Sequence, residues 1–407
     1  MWREYTTVTR LKYGKAKMHG LAVKAQPSYQ SFGVLIMKKS LVALATMSVV
    51  TTAFADVDVS GGIKMYGVID QGVTSQSFQV SSGTIANYTG LFGSASTSRL
   101  GFKGARDLGE GFKADFVLEQ EISPQTATLM PLKNRSGWVG ITNTNAGTIR
   151  LGTQETTAYE VFAFDVNGRV EYKPQLWRYT TTKTEYTNGS TVATDIGTQD
   201  RANQAIKIIS KDMGGFTAHA MMNFAAAQSS TNANISSTYS SLGLKYKSEK
   251  LNAAYVYDQL TNADGEWYMP GIASAGLPTK GTETQWAARS TTNPLTRNIL
   301  VASYNFGSLT GSYIMANASV NGSGSMSTNT FGVSVPYDNF RFALSYGSGS
   351  INSTTYTTVN GTLSDTTFGA YYNFDKSTMA YLLSSKSTYS DVSGITTVTA
   401  IGARYNF

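Results

Sequence analysis

The chain has 407 residues, 41% of them hydrophobic, only 14% charged, and no cysteine. A soluble domain carries about 25% charged residues, so this chain lacks the charge that coats an ordinary water-facing surface, and the absence of Cys excludes disulfides, thiolate metal sites and Cys nucleophiles. The net charge of +7 does not point to nucleic acid, because residues 1–55 hold eight Lys/Arg against Glu4 alone and the remainder carries 25 side chains of each sign; a nucleic-acid partner would need a basic face on the folded part.

Residues 1–36 are basic and without pattern. Behind them, Met37-Lys38-Lys39, the apolar run Leu41 to Val50 and the small–x–small triplet Ala53-Phe54-Ala55 supply the three regions of a secretory signal in the right order. Residues 37–55 therefore read as a signal peptide with Asp56 as the mature N-terminus. Residues 1–36 read as an unstructured start-site artefact ahead of Met37. The apolar run is about ten residues, half the roughly 20 that a spanning helix requires. Residues 56–407 read as one domain, since turn signals recur evenly and no repeat of a solenoid period is visible.

Along 56–407 the dominant feature is alternation of apolar and polar residues, the period-2 mark of strands with two unlike faces. Leu100 and Phe102 oppose Arg99 and Lys103; Phe112, Ala114, Phe116 and Leu118 oppose Lys113, Asp115 and Glu119. Phe340, Phe342, Leu344 and Tyr346 oppose Arg341 and Ser345, and Ile401, Tyr405 and Phe407 oppose Arg404 and Asn406. Sixteen such segments follow in order: 57–73, 97–107, 110–121, 135–143, 147–155, 201–211, 214–224, 238–247, 250–259, 297–306, 308–318, 328–337, 339–348, 365–374, 377–387 and 396–407. Their connections alternate between short turns and long stretches rich in Ser, Thr, Asn and Gly, the long ones at 74–96, 122–134, 156–200, 225–237, 260–296, 319–327, 349–364 and 388–395.

An even number of antiparallel strands with short turns at one end and long loops at the other is the plan of an all-β, closed transmembrane barrel, with short periplasmic turns and long extracellular loops. Hydrocarbon offers no partner to a free backbone N–H or C=O, so a spanning sheet must close. One lipid-facing side per strand also explains the charge deficit. Sixteen strands enclose a water-filled lumen rather than a packed one. A soluble, exported β-sandwich is the competing reading, because its strands alternate in the same way.

In such a lumen the working chemistry is the field and width of the bore. Alternation points Lys64, Tyr66 and Asp70 inward from the first strand, Arg99 and Lys103 from the second, Arg135 from the fourth and Arg150 from the fifth, which makes a cationic wall of Lys64, Arg99, Lys103, Arg135 and Arg150. The longest connection, 156–200, is the candidate for a third loop folded into the lumen, because loops of that length are functional or disordered. It carries Glu160, Asp165 and Glu171 together with Arg169, Lys173, Arg178 and Lys183. Anion preference follows if the wall dominates; cation preference follows if the loop acids do. The connection 260–296, with Trp267, Tyr268 and Trp286, reads as extracellular surface. Catalytic sets are nearly absent: His19 lies in the upstream segment, His219 stands by itself on a polar strand face, and no phosphate loop or metal spacing occurs. No cofactor, no metal and no enzyme activity are expected. A substrate-specific channel is the alternative to a general one, and a hydrolase barrel would need a base beyond His219.

Several segments resemble known sequences. Lys64-Met-Tyr-Gly-Val-Ile-Asp70 resembles the opening strand of general porins of β-proteobacteria, and Ser98-Arg-Leu-Gly-Phe-Lys-Gly-Ala-Arg-Asp-Leu-Gly-Glu-Gly-Phe-Lys-Ala114 is similar to their second and third strands. Asn134-Arg-Ser-Gly-Trp-Val-Gly140 with Gly147-Thr-Ile-Arg-Leu-Gly152 is similar to the fourth and fifth, and Gly402-Ala-Arg-Tyr-Asn-Phe407 to their ending. The resemblance implies a homotrimeric, sixteen-stranded outer-membrane porin of a Gram-negative bacterium, passing small hydrophilic solutes and ions by passive diffusion. It implies that Arg99 and Arg135 occupy the family's constriction positions, and that Tyr405 and Phe407 belong to a C-terminal signal read by the barrel-assembly machinery. The inward-loop segment Val161-Phe-Ala-Phe-Asp-Val-Asn-Gly168 departs from the family's Pro-Glu-Phe-Gly pattern.

Overall fold

Alternating sequence becomes alternating burial. On the strand containing Leu344 and Ser345, the first is 46% exposed and the second 2%. The computed structural model describes residues 57–60, 62–79, 85–93, 95–168, 187–188, 191–192, 200–224, 237–262, 267–273, 283–287, 294–354, 360–390 and 394–407, all within the unit Ser40–Phe407. The expected signal peptide, the segment 1–36 and the loop acid Glu171 lie outside the described residues.

The strands are β1 (Val57–Ser60), β2 (Ile63–Gln79), β3 (Ile85–Phe92), β4 (Arg99–Gly109), β5 (Phe112–Ser123), β6 (Thr128–Asn143) and β7 (Gly147–Glu155). A short helix α1 (Thr157–Val161) and a 3-10 turn (Phe162–Phe164) follow, then β8 (Thr187–Asn188), β9 (Thr191–Val192), β10 (Arg201–Ser210), β11 (Phe216–Asn223), β12 (Ser237–Lys247) and β13 (Leu251–Asn262). After the hairpin β14 (Trp267–Ala273) and β15 (Glu283–Ala287) come β16 (Leu295–Asn305), β17 (Thr310–Val320), β18 (Gly324–Tyr337), β19 (Phe340–Ser353), β20 (Gly361–Asn373), β21 (Thr378–Tyr389) and β22 (Gly394–Asn406).

One sheet holds eighteen of these strands, all paired antiparallel. Sixteen form a ring: β7 pairs with β10 (Leu151 opposite Ile206), β13 with β16 (Tyr257 opposite Asn298), and β22 closes on β2 (Tyr405 opposite Ile69). At the seam Phe407 and Gly67 exchange backbone bonds of 2.8 and 3.1 Å, and the Phe407 ring fills the space where a side chain on residue 67 would stand. The closed ring leaves no edge for hydrocarbon to strand. Its outward rows are apolar, among them Leu118, Ile149, Leu242, Leu344 and Ile401, each about half exposed or more. Aromatic pairs such as Tyr304–Phe306, Phe340–Tyr372 and Tyr372–Phe374 girdle the end with short turns, where amphipathic rings suit a membrane interface.

Several boundaries differ from the sequence expectation, among them the start of β6, which begins at Thr128 inside the expected 122–134 loop. The first strand breaks at Gly62, where φ is +82°, and β2 then runs on to Gln79. Part of the expected 74–96 loop folds back on it as β3. The expected long connection at 319–327 is a turn between Val320 and Gly324, whose strands pair right up to it. The last two lie where strands rise above the apolar belt and carry Ser, Thr and Asn on their outward face, so the alternation that marks a strand disappears there; the break at Gly62 lies toward the short turns, where Ile63 pairs with Gly104.

Register shifts sit beside the charged rows described next. β5 and β6 shift at Glu119 and Gln120, and β10 bulges against β7 with Gln204 at φ +51° near Gly152 at φ +130°. Such bulges re-aim side chains and cluster near functional positions.

Candidate functional site: a chain segment across the bore and its charged walls

Residues 156–168 leave β7 and travel through the interior. Thr156 caps α1, its Oγ1 accepting the Tyr159 N–H at 3.2 Å. Ala158, Val161 and Phe162 are buried against Ala254, Val256, Ile299, Val301, Ile314 and Ala316 on the inner faces of β13, β16 and β17. This is where the inward row departs from polarity, and Val161 and Phe162 each contribute about 1.5–3 kcal/mol of apolar burial there. Further on, the Val166 N–H donates to Ser312 Oγ at 3.3 Å and its carbonyl accepts Arg341 Nη1 at 2.7 Å. Asn167 Nδ2 donates to Ser345 Oγ at 3.1 Å, and Asn167 Oδ1 accepts the Tyr371 hydroxyl at 3.2 Å. Two glycines make room for this tip. A Cβ on Gly332 would lie 2.5 Å from the Val166 side chain, and one on Gly369 would lie 2.8 Å from Asn167 Oδ1. A segment that touches the buried faces of β13, β17, β19 and β20 crosses the ring from one wall to the other.

One wall gathers arginines. Glu119 lies between Arg99, whose Nε is 3.4 Å away, and Arg135, whose Nε donates to Glu119 Oε1. The Tyr66 hydroxyl donates to Glu119 Oε2 at 3.1 Å, and Lys103 Nζ stands 5.1 Å from the centre of the Tyr66 ring. Arg201 pairs with Glu155 at 3.5 Å and faces the Tyr159 ring at 5.9 Å. Lys64 is exposed and opposite Lys103 in register, toward the end with the short turns, so it stands apart from the Glu119 cluster. Among the described residues, the acid that meets Arg99 and Arg135 is Glu119 of β5.

Next to it, Arg150 lies opposite Lys207 in register and stacks its guanidinium on Trp138 at 4.2 Å. Lys207 and Lys245 both donate to Glu160 of α1, and Lys207 Nζ also donates to the Glu155 carbonyl at 3.1 Å. Burial by itself would raise the Glu160 carboxyl, but the two ammonium groups outweigh it and hold the group well below the usual carboxylate range. Asp165 is buried and accepts the Asn167 N–H at 2.8 Å, so it shapes the loop tip. Higher on the same side, Arg297 and Asp258 form a buried two-bond pair that includes Nε to Oδ1 at 2.8 Å, with the Tyr239 hydroxyl on Asp258 at 3.1 Å. His219 contacts Thr217 Oγ1 at 3.2 Å.

Sequence reasoning singled out Arg99, Arg135 and Arg150 and put Arg341 and Arg404 on polar strand faces, but missed Arg201, Lys207 and Lys245. The signal was present: Lys207 lies between Ile206 and Ile208 as Arg150 lies between Ile149 and Leu151. Glu119 reads only as a polar-face residue of its strand until register shows what stands beside it.

The closed ring, its apolar outside and its ionisable inside define an outer-membrane β-barrel. The sequence family described as Gram-negative porin matches residues 40–391, and the chain belongs to that family. It is 36% identical over 135 residues to outer membrane porin protein 32 of Delftia acidovorans, a stretch covering 31% of this chain and 36% of that relative. It is 37% identical over 116 residues to the major outer membrane protein P.IB of Neisseria meningitidis, covering 28% of this chain and 33% of the relative. The matched stretches thus span about a third of these curated relatives. Among solved structures, the anion-selective porin from Comamonas acidovorans superposes with a TM-score of 0.64 at 20% identity, covering 85% of this chain and 99% of that one. OmpF of Salmonella typhi gives 0.58 at 13% identity, covering 86% and 100%. These two show the shared fold.

Proposed function

We propose that the protein is a water-filled channel through which small hydrophilic solutes and ions diffuse passively across the outer membrane. The observation that carries this reading is the segment 156–168 crossing a sixteen-strand ring between charged walls. The bore is too wide for side chains alone to fill, and the crossing segment narrows it. Arg99, Arg135 and Arg150, with Lys103 and the exposed Lys64 toward the short turns, form the cationic wall. Glu160, Asp165 and Glu171 are the loop's acids. Glu160 is neutralised by Lys207 and Lys245, and Asp165 is turned into the tip.

Anions are the preferred ions. Among the described ion pairs beside the crossing segment, Arg99, Arg135, Arg201, Lys207 and Lys245 meet three carboxylates, Glu119, Glu155 and Glu160, and a bore with a positive field concentrates anions. In this reading three copies assemble side by side, Tyr405 and Phe407 address the final strand to the assembly machinery, and 37–55 is removed on export. Reversal potentials in a salt gradient across a planar bilayer test the ion preference: a sign indicating cations would refute it. Conductance steps grouped in threes are expected from the trimer.

A further inference from the structure

Apolar side chains on the lumen side of a water-filled barrel need a cover, because water against them is costly. The helix α1 covers one such stretch, which includes Val256 of β13 and Ile299 of β16. Two residues farther from the short turns on the same strand faces stand Asp258 and Arg297, and two farther still Leu260 and Leu295. Those leucines belong to a second apolar band, which continues through Val320, Met326, Ile351 and Leu363 on β17 to β20. All six are buried, none more than 7% exposed, whereas their outward neighbours Ser319, Asn352 and Thr362 are exposed. The cover of this band therefore lies inside the ring. Between Leu260 and Leu295 the chain forms the hairpin β14–β15, with Tyr268 opposite Gln285 and Met269 opposite Thr284. The strand β15 runs close to β18 and β19, the second and third strands around the ring from β16. From its stems on β13 and β16 the hairpin reaches them either across the band or around the outside, and the exposed outward rows leave only the inner route. Its first strand, Trp267-Tyr-Met-Pro-Gly-Ile-Ala273, has the apolar composition such a seat requires.

We propose that the hairpin β14–β15 folds inward as a strap over this band, a second internal obstruction above residues 156–168, and that it keeps amphiphilic solutes from adsorbing at the outer mouth. The two obstructions divide the work. The segment 156–168 crosses between charged groups and acts on ions, whereas the strap covers an apolar surface and acts on solutes that carry an apolar part. An uncovered band would hold an apolar anion drawn in by the positive field and so block the bore. The inference rests on the barrel being a conducting channel and is independent of which ion it prefers.

The test has two arms, each run on the full barrel with heat-shifted gel mobility as the check of folding. The chain has no cysteine, so an introduced pair reports without background. Gln285→Cys on β15 with Ser353→Cys, a buried lumen-side position on β19, should be joined by a short bis-maleimide and shift the mobility of the denatured chain. Gln285→Cys with Ser348→Cys, an exposed outward position on β19, should not. Linkage of the outward pair, or none of the inner pair, would overturn the proposal and assign the cover of the band to another segment. In the second arm, residues 266–288 are replaced by a short Gly-Ser linker and single channels are recorded in a planar bilayer. Conductance should rise, and anilinonaphthalene sulfonate, an apolar anion, should block the deleted channel at concentrations that leave the wild type open. Met326→Ser with Ile351→Ser, neighbours across β18 and β19, should weaken that block about tenfold or more in the deleted channel, the scale of one apolar side chain's contact, while the raised conductance stays. Wild-type conductance after deletion, or equal block of both channels, would overturn the strap and leave the channel itself standing. Block that is indifferent to the two serines would remove the band from the proposal and so overturn it too. If the deleted chain does not fold, the cross-linking arm decides.

Discussion

At the scale of single residues, Glu119 holds two guanidinium groups, and its removal and theirs should act on ions in opposite directions. One unit charge about 4 Å from an ion in water is worth about 1 kcal/mol, or a roughly fivefold change in a permeability ratio. Arg99→Ala should therefore move the reversal potential toward cations and Glu119→Gln toward anions; a shift in the same direction for both would place neither in the ion path. Glu160 makes a different prediction. Its folded carboxyl titrates below the ordinary value of about 4.3, so its pairing with Lys207 and Lys245 is complete above that value. The pairing is lost only as pH falls through the lowered folded value. Single-channel conductance should thus hold level from pH 7 to about 4.5, and a step inside that window would assign control of the loop to another group. Glu160→Gln leaves two ammonium groups without their carboxylate and should lower stability by about 1.5–3 kcal/mol, read from the denaturant midpoint.

At the scale of the element, segment 156–168 is held at both ends by different physics. Its helix is buried by apolar contact with β13, β16 and β17, while its tip donates a hydrogen bond to Ser312 and accepts hydrogen bonds from Arg341 and Tyr371. Five helical residues cannot support themselves, since isolated helices shorter than about 12 residues are marginal; the wall makes the helix. Gly332 and Gly369 are part of that wall only because they carry no side chain. Gly332→Ala should force the Val166 tip away at a cost of about 1–3 kcal/mol of overpacking, and the channel should then show larger and noisier conductance with an unchanged barrel by far-ultraviolet circular dichroism. Conductance identical to wild type would mean the tip is held elsewhere.

At the scale of the whole molecule, closure is the property on which the rest depends. The ring is completed by β22 on β2, and its last residue bonds to Gly67 through the backbone and covers it with a ring. Phe407→Ala keeps the backbone bonds and removes the ring, so folded barrel should still form in detergent. The proposed role in assembly predicts less heat-modifiable protein in the outer membrane of cells. Equal amounts of assembled protein would separate Phe407 from that role and leave only its packing. The turns at the same end are built locally: Asp375 Oδ1 accepts the N–H groups of Ser377 and Thr378 at 2.7 and 2.6 Å, which holds its exposed carboxyl below the usual range.

What the sequence could determine is what a period of two encodes. Sixteen spanning strands, their order and the inward direction of Arg99, Arg135 and Arg150 are all local consequences of alternation in a lipid belt. Above the belt the code fails, because Ser, Thr and Asn face water on both sides; β3 and the upper ends of β17 and β18 were hidden for that reason. Contacts between distant residues have no local code at all. Only the closed ring brings Glu119 to Arg135, aligns Lys207 and Lys245 on Glu160, and sets Val166 and Asn167 against glycines far along the chain, because those pairings are fixed by strand register and by a loop that must find room inside a cylinder.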